Sequence, residues 1–270
     1  MATDPIDRSV LARELVRLDS LWTEVDVVAE TGSTNADLVA RARAGAELGT
    51  VLVTDYQSAG RGRRDRTWTA APGTSIAMSV LVRPGDIDPS RWTWLPLLTG
   101  LAVAEGIRQE IDLPAVLKWP NDVLIWDRKV AGILAERVET PTGPACVIGM
   151  GINVSLTEEQ LPVPTATSLV LAAAELGVTG LDLSRTTLIT HILVSLERIL
   201  QHWVTVDQDR VLAVAYAERC TTLGRRVRVQ LADDRSVEGV AESVDPSGRL
   251  VLSTPTGPQT FSAGDVIHLR

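Results

Sequence analysis

The strongest constraint on this chain is the run Gly60-Arg61-Gly62-Arg63-Arg64-Asp65-Arg66-Thr67-Trp68, set just after the strand-like Thr50-Val51-Leu52-Val53-Thr54. Four arginines less Asp65 give the run a charge of +3, inside a chain whose net charge is −8. Fixed cations on a flexible backbone suit a small anion with several oxygens, above all a phosphate chain. The guanidinium fork matches phosphate geometry, and glycine lets the backbone turn and come close. The plainer alternative is a solvated basic loop, and the rest of the sequence decides between the two.

At 270 residues, 45% of them hydrophobic, the chain has room for one large domain plus a small one. The acidic balance, with a pI near 5.0, argues against a general nucleic-acid or membrane-surface binder. Cys146 and Cys220 lie far apart with no CxxC or Cys/His spacing, as in a protein with reduced thiols. His191, His202 and His268 are scattered, which gives no support to a histidine metal site or a Ser-His-Asp triad. No signal peptide is visible, and no apolar run approaches the ~18 residues of a membrane span. A soluble cytoplasmic protein is expected.

Apolar spacing predicts a short amphipathic helix over residues 9–20 (Val10, Leu11, Leu15, Leu18) and a strand at Val25–Ala29. Thr31-Gly32-Ser33-Thr34-Asn35 then leads into a helix over 36–44, with Ser33 and Thr34 as N-cap candidates and Gly45 as the C-terminal stop. Strands follow at 50–55 and 75–82, then a helix over 91–110 that Pro96 could disturb. Val116–Trp119 and Val123–Trp126 are short strands around Pro120-Asn121-Asp122. Val130–Val138 and Ala145–Val154 are longer strands, and helices are expected over 184–204 and 208–220. From Leu223 onward the texture changes. Val227–Leu231, Val237–Ser243, Arg249–Ser253 and Val266–Leu269 are short β-runs, with turns at Asp233-Asp234, Pro246-Ser247-Gly248 and Thr256-Gly257. Two domains are expected, residues 1–222 and a small SH3-like β-module over 223–270.

Four segments combine glycine, small hydroxyls, amides and cations at strand ends. The first is Gly32-Ser33-Thr34-Asn35 at a helix start, where hydroxyls, an amide and free N–H groups can read a small polar head group. The second is the arginine loop, preceded by Gln57. The third is Lys118-Trp119-Pro120-Asn121-Asp122, followed by Arg128-Lys129-Val130-Ala131-Gly132-Ile133-Leu134. The fourth is Gly149-Met150-Gly151-Ile152-Asn153-Val154, in which strand glycines mark a close approach by ligand or backbone. None is a Walker A sequence or a GxGxxG fingerprint.

In this order and spacing, GSTN, QSAGRGRRDRTW, KWPNDVLI with RKVAGIL, and GMGINV resemble the biotin–protein ligases from about Val25 to the C-terminus. The resemblance implies an α/β fold: a class II synthetase-like mixed sheet flanked by helices, plus a small C-terminal SH3-like β-barrel. It implies a two-step reaction, in which the biotin carboxylate attacks the α-phosphate of ATP and a carrier-domain lysine then takes the biotinyl group from biotinyl-5′-AMP. It further places Ser33, Thr34, Asn35, Gln57 and Gly60 at the biotin head group. Arg61, Gly62 and Arg63 would close over biotin and the phosphates, and Gly132 would allow close approach. Lys129 would meet the biotin carboxylate. Arg66, Trp68, Lys118, Asn121 and Asn153 would face the nucleotide, with Trp68 as a stacking surface for adenine. Arg63, Lys118 and Lys129 would carry the chemistry. Mg²⁺ is expected with ATP, Asp122 being the nearest carboxylate for a metal or for orienting Lys118. The implied partner is the biotin carboxyl carrier domain of acyl-CoA carboxylases, with no DNA and no membrane, and a homodimer is left open.

Loop 60–73 is expected to be mobile when empty and ordered when loaded, since closure would shield the acyl-adenylate from water. Asp65 stands where many family members carry glycine, and pairing with Arg63 or Arg66 is one expected outcome. The residues before Val25 are too few for a DNA-binding winged helix, so the catalytic-only type is expected. A lipoate or octanoate ligase shares the acyl-adenylate logic, and a binding-only biotin sensor is the alternative of another class. No general base for the transfer step appears in these motifs.

Overall fold

The computed structural model describes residues 5–85, 87–178, 181, 183–205, 209–231 and 235–269. In chain order the elements are α1 (Arg8–Leu15), β1 (Glu24–Val27), α2 (Thr34–Arg43), β2 (Thr50–Thr54), β3 (Ser75–Val82), α3 (Trp94–Ile111), β4 (Val116–Lys118), β5 (Asp122–Ile125), β6 (Arg128–Thr140) and β7 (Gly143–Asn153). There follow α4 (Leu169–Glu175), α5 (Arg185–Thr205), α6 (Asp209–Arg219) and β8 (Arg226–Gln230). The chain ends with β9 (Ser236–Val244), β10 (Leu250–Thr254), β11 (Gly257–Phe261) and β12 (Asp265–His268).

β1 to β7 form one mixed sheet in the order β1-β2-β3-β7-β6-β5-β4. Only the β1–β2 pair is parallel, because α2 carries the chain back between them. Strand alternation divides the buried side chains between two faces. Met78, Val80 and Val82 of β3, with Ile148, Met150 and Ile152 of β7, join the main core under α1, α3 and α5. Leu81 and Val147 point the other way, into a small cluster with Leu38 and Ala42 of α2. α2 covers only part of that second face, and the site occupies the rest.

The last five strands form an antiparallel sheet in the order β11-β10-β9-β8-β12. Its apolar side, including Val227, Leu250, Leu252 and Val266, is continuous with the main core. Buried tryptophans fasten the two parts together: Trp94 Nε1 donates to the Pro246 carbonyl at 2.8 Å and Trp119 Nε1 to that of Gly248 at 3.2 Å.

Several details differ from the sequence expectations. The first helix stops at Leu15, and Leu18 is 95% exposed, since no core lies beneath it. α3 begins at Trp94, so Pro96 falls in the first turn, where its missing N–H costs nothing. The turn expected at Thr256-Gly257 falls one residue earlier, at Pro255-Thr256, and an additional strand, β11, follows it. α4 was not anticipated, because its alanine-rich segment is short and weakly patterned. The expected Asp233-Asp234 turn lies outside the described residues.

Candidate active site

One row of cross-strand neighbours builds the floor of the site. Lys118 pairs with Asp122, Asp122 with Gly132, Gly132 with Gly151 and Gly151 with Ala77, so five strands deliver their residues to a single line. The next row on the same face contains Leu134, Gly149 and Ser79. Gly149, Gly151 and Asn153 alternate along β7, all facing the site, while Met150 and Ile152 face the core. Above this floor is a cavity of about 970 Å³.

The cavity wall contains Ser33, Thr34, Asn35 and Gln57 on one side. Arg61, Gly62, Arg63, Arg66 and Trp68 come from the arginine loop, and Lys118, Asn121, Asp122, Lys129, Gly132 and Asn153 from the sheet. Of the residues expected to contact biotin or the nucleotide, Gly60 alone is not in the wall. A β-carbon there would stand 2.3 Å from the Trp68 carbonyl oxygen, so Gly60 lets the two ends of the loop close on each other.

Ser33 caps α2, accepting from the Ala36 N–H at 3.4 Å. The next two residues are held inward. Thr34 donates through its backbone N–H to Gln57 Oε1 at 2.9 Å, and Asn35 Nδ2 donates to the Leu134 carbonyl at 3.1 Å and to Glu136 Oε2 at 2.7 Å. The Ser79 hydroxyl lies 2.7 Å from Asn35 Oδ1 and 2.8 Å from Thr34 Oγ1. A β-carbon on Gly149 would come within 2.2 Å of Asn35 Oδ1, so that glycine is what allows the amide to lie on the sheet.

The arginines each have a partner. Arg61 Nη2 reaches Glu136 Oε1 at 2.9 Å, and Arg63 Nη1 donates to Asn121 Oδ1 at 2.9 Å. Arg64 and Arg66 both donate to Asp265 of β12, at 3.2 and 2.6 Å. Arg64 also donates to the Leu231 carbonyl at 2.7 Å and Arg63 to that of Gly264 at 3.4 Å. The C-terminal sheet therefore grips the arginine loop, and Val266, Ile267 and His268 continue it into the cavity wall. Asp65 is not ion-paired to Arg63 or Arg66; it and Arg64 instead take left-handed backbone, φ +58° and +54°, at the tip of the loop.

The Trp68 indole rests on Gly151, where a β-carbon would come within 2.5 Å of the ring. The Lys129 ammonium stands 5.9 Å from the ring centre, close enough for a cation–π attraction. Trp68 thus touches Lys129, expected at biotin, although Trp68 itself is expected at the nucleotide. Its Nε1 is buried with no hydrogen-bond partner among the described residues, a donor left for a ligand acceptor. Lys129 Nζ pairs with Asp122 Oδ1 at 2.6 Å, so Asp122 engages Lys129 rather than Lys118. Burial in the wall pulls the Lys118 ammonium below its usual range, with Lys129 adding to the effect and Asp122 opposing it. Burial likewise lowers Arg63, against the pull of Asp265 and Asp122. His268 falls from 6.5 to about 4, first through burial and then through Lys118 and Arg225.

Glu136, Ser79, Asp265 and His268 were not singled out in the sequence. Glu136 was within reach, for it lies at even spacing from Gly132 and so shares its face. Asp265 had no local signal.

The arrangement can hold a polar ring system at one end and a polyanion at the other. No group of three or more acidic, cysteine or histidine side chains is placed to hold a metal among the described residues. Asp122, the carboxylate expected to serve a metal, is occupied by Lys129.

Comparison with known proteins gives the family. Residues 29–153 match the biotin/lipoate A/B protein ligase family, and residues 222–269 match the biotin protein ligase C terminal domain. A biotin–[acetyl-CoA-carboxylase] ligase of Mycobacterium tuberculosis is 42% identical, over 98% of this chain and 97% of its own length. The bifunctional ligase/repressor BirA of Bacillus subtilis is 33% identical, over 89% of this chain and 72% of its own. The biotin protein ligase of Aquifex aeolicus, solved in complex with biotin and ATP, superposes with a TM-score of 0.75 at 25% identity, covering 92% of this chain and all of that one. No helix among the described residues is long and apolar enough to cross a membrane. This chain belongs to the biotin protein ligases of the biotin/lipoate A/B protein ligase family.

Proposed function

We infer that this chain activates biotin with ATP and transfers it to a specific lysine of a biotin carboxyl carrier domain. The observation that carries the reading is that one cavity joins two chemically different ends. Ser33, Thr34, Asn35 and Gln57 offer paired donors and acceptors, while Arg61, Arg63, Arg66, Lys118 and Lys129 converge as cations.

In the first step a biotin carboxylate oxygen forms a bond to the α-phosphorus of ATP and pyrophosphate leaves. Two anions must meet, and the surrounding cations offset their repulsion. Lys129 and Arg61 serve the carboxylate, and Arg63, Arg66 and Lys118 the phosphates. Such pre-oriented donors are typically worth on the order of 10²–10³ in rate each. Mg²⁺ bound to the triphosphate would neutralise further charge. In the second step the neutral lysine nitrogen bonds to the acyl carbon, the acyl carbon–oxygen bond to the phosphate breaks so that AMP leaves, and the proton of the amine passes to solvent. Asn121 and Asn153 position the nucleotide, and Gly62 and Gly132 keep the walls close. Trp68 can place its free N–H on the ligand from its seat on Gly151. The catalytic unit spans residues 1–222 and the β-module 223–270. Buried, unpaired Cys146 and Cys220 suit the reducing cytoplasm.

The test is exchange of labelled pyrophosphate into ATP, with Mg²⁺ and with biotin, lipoate or octanoate supplied separately. Exchange with biotin alone is expected. Exchange with lipoate or octanoate instead would move the chain to the sister activity. No exchange with any acid would leave a binding protein and overturn the reading.

A further inference from the structure

Of the seven tryptophans in the chain, Trp22, Trp94, Trp119 and Trp203 are fully buried, and Trp68 and Trp92 are half-buried. Trp126 is 46% exposed. It sits at a position that should repel it. Ile125 pairs with Arg128, so Trp126 and Asp127 form the two-residue turn between β5 and β6. Both have left-handed backbone, φ +52° and +59°. A hairpin turn of this kind favours asparagine or glycine, and a bulky side chain rarely adopts it. For a bulky side chain such strained backbone clusters at functional sites.

The turn stands at the edge of the cavity, since Asp127 lines its wall. Trp126 stands just outside the wall, and two large apolar side chains of the wall itself remain exposed: Val163 at 49% and Ile267 at 44%. They come from different elements, the segment before α4 and β12. We propose that Trp126, with Val163 and Ile267, forms an apolar rim on which the lysine-bearing acceptor protein docks.

This rests on the ligase reading above. An acceptor lysine reacts inside the cavity, but its backbone belongs to a folded protein too large to enter, so the residues flanking that lysine must lie on the rim. An exposed aromatic anchor among smaller apolar contacts is how such surfaces concentrate binding. Beside the anchor Asp127 is paired with Arg225 at 3.3 Å, which leaves this part of the rim close to neutral and suits an apolar partner surface. The acceptor that fits has apolar residues next to its target lysine.

Trp126→Gly separates docking from folding, because glycine removes the ring and accepts the left-handed backbone. Three rates are measured on wild type and variant: biotin-dependent pyrophosphate exchange, transfer from preformed biotinyl-AMP to hydroxylamine, and transfer to an apo biotin carboxyl carrier domain. The expected result is a thermal midpoint at least as high as wild type, unchanged exchange and hydroxylamine transfer, and a rise of at least about tenfold in KM for the carrier domain. Trp126→Phe should recover most of that loss. An unchanged KM for the carrier domain would overturn the proposal. So would a matching rise in KM for ATP in the exchange assay, which would assign the rim to the nucleotide. Absence of biotin-dependent exchange in the wild type would instead remove the ligase reading, and the docking rim with it.

Discussion

Asp265→Asn should loosen the arginine loop without unfolding anything else. Asp265 is the shared acceptor of Arg64 and Arg66, at 3.2 and 2.6 Å, and so ties the tip of the loop to the C-terminal sheet. The side chain of Arg66 is 61% exposed and that of Arg64 29%, with Asp265 at 24%. Solvent screening limits each pair to at most about 1 kcal/mol. Asparagine keeps the shape and one neutral acceptor, while Arg64 keeps the Leu231 carbonyl and Arg63 keeps Asn121. Loss of the charge should therefore remove roughly 1–2 kcal/mol from loop docking, a factor of ~5–30 in the open-to-closed ratio. Amide hydrogen exchange over residues 60–68 reads that ratio directly, with β3 as an internal control whose protection should not change. In wild type, raising the salt to 1 M should reproduce part of the effect, because screening then acts over about 3 Å. In the variant, salt should do little more. A looser loop should also let water reach the acyl-adenylate, so release and hydrolysis of biotinyl-AMP should rise with exchange. Equal loop protection in wild type and variant at low salt would refute the clasp. A salt response as large in the variant as in wild type would refute its ionic origin.

Two further outcomes follow from the site. Glu136→Ala deprives Asn35 of a charged acceptor and Arg61 of its ion pair, and should raise KM for biotin about tenfold while changing kcat less. Glu136→Gln should restore much of the loss, and steady-state kinetics on both variants checks it. For His268, the folded protein holds the imidazole neutral down to about 4, whereas the unfolded chain takes up its proton near 6.5. Its contribution is therefore intact above 6.5 and lost as pH falls from 6.5 toward 4. Thermal midpoints at pH 7 and pH 5 should fall further apart in wild type than in His268→Gln, and equal gaps would contradict the shift.

Much of the architecture was legible before any coordinates, for reasons of local physics. Apolar, β-branched runs marked β2, β3, β6 and β7, and Ser33 was already a cap candidate because its oxygen can reach an N–H three residues on. The paired glycines of β7 were noticed because a strand seldom omits side chains without cause. Where the signal was weak, in the short α4 and in β11 with its Gly257-Pro258 start, nothing local marked an element.

The sequence by itself determined which chemistry is present: fixed cations in a glycine loop, polar readers at a helix start, and lysines at strand ends. Residue type and short-range spacing set those properties, and they survive in any arrangement of the chain. Tertiary structure alone decided which groups meet. It placed Asp265 against Arg66 from 199 residues away, set Glu136 between Arg61 and Asn35, and laid Trp68 on Gly151. A charge or a flat ring can find many partners along a chain, and only sheet register and the packing of the β-module onto the main core bring one of them within contact distance.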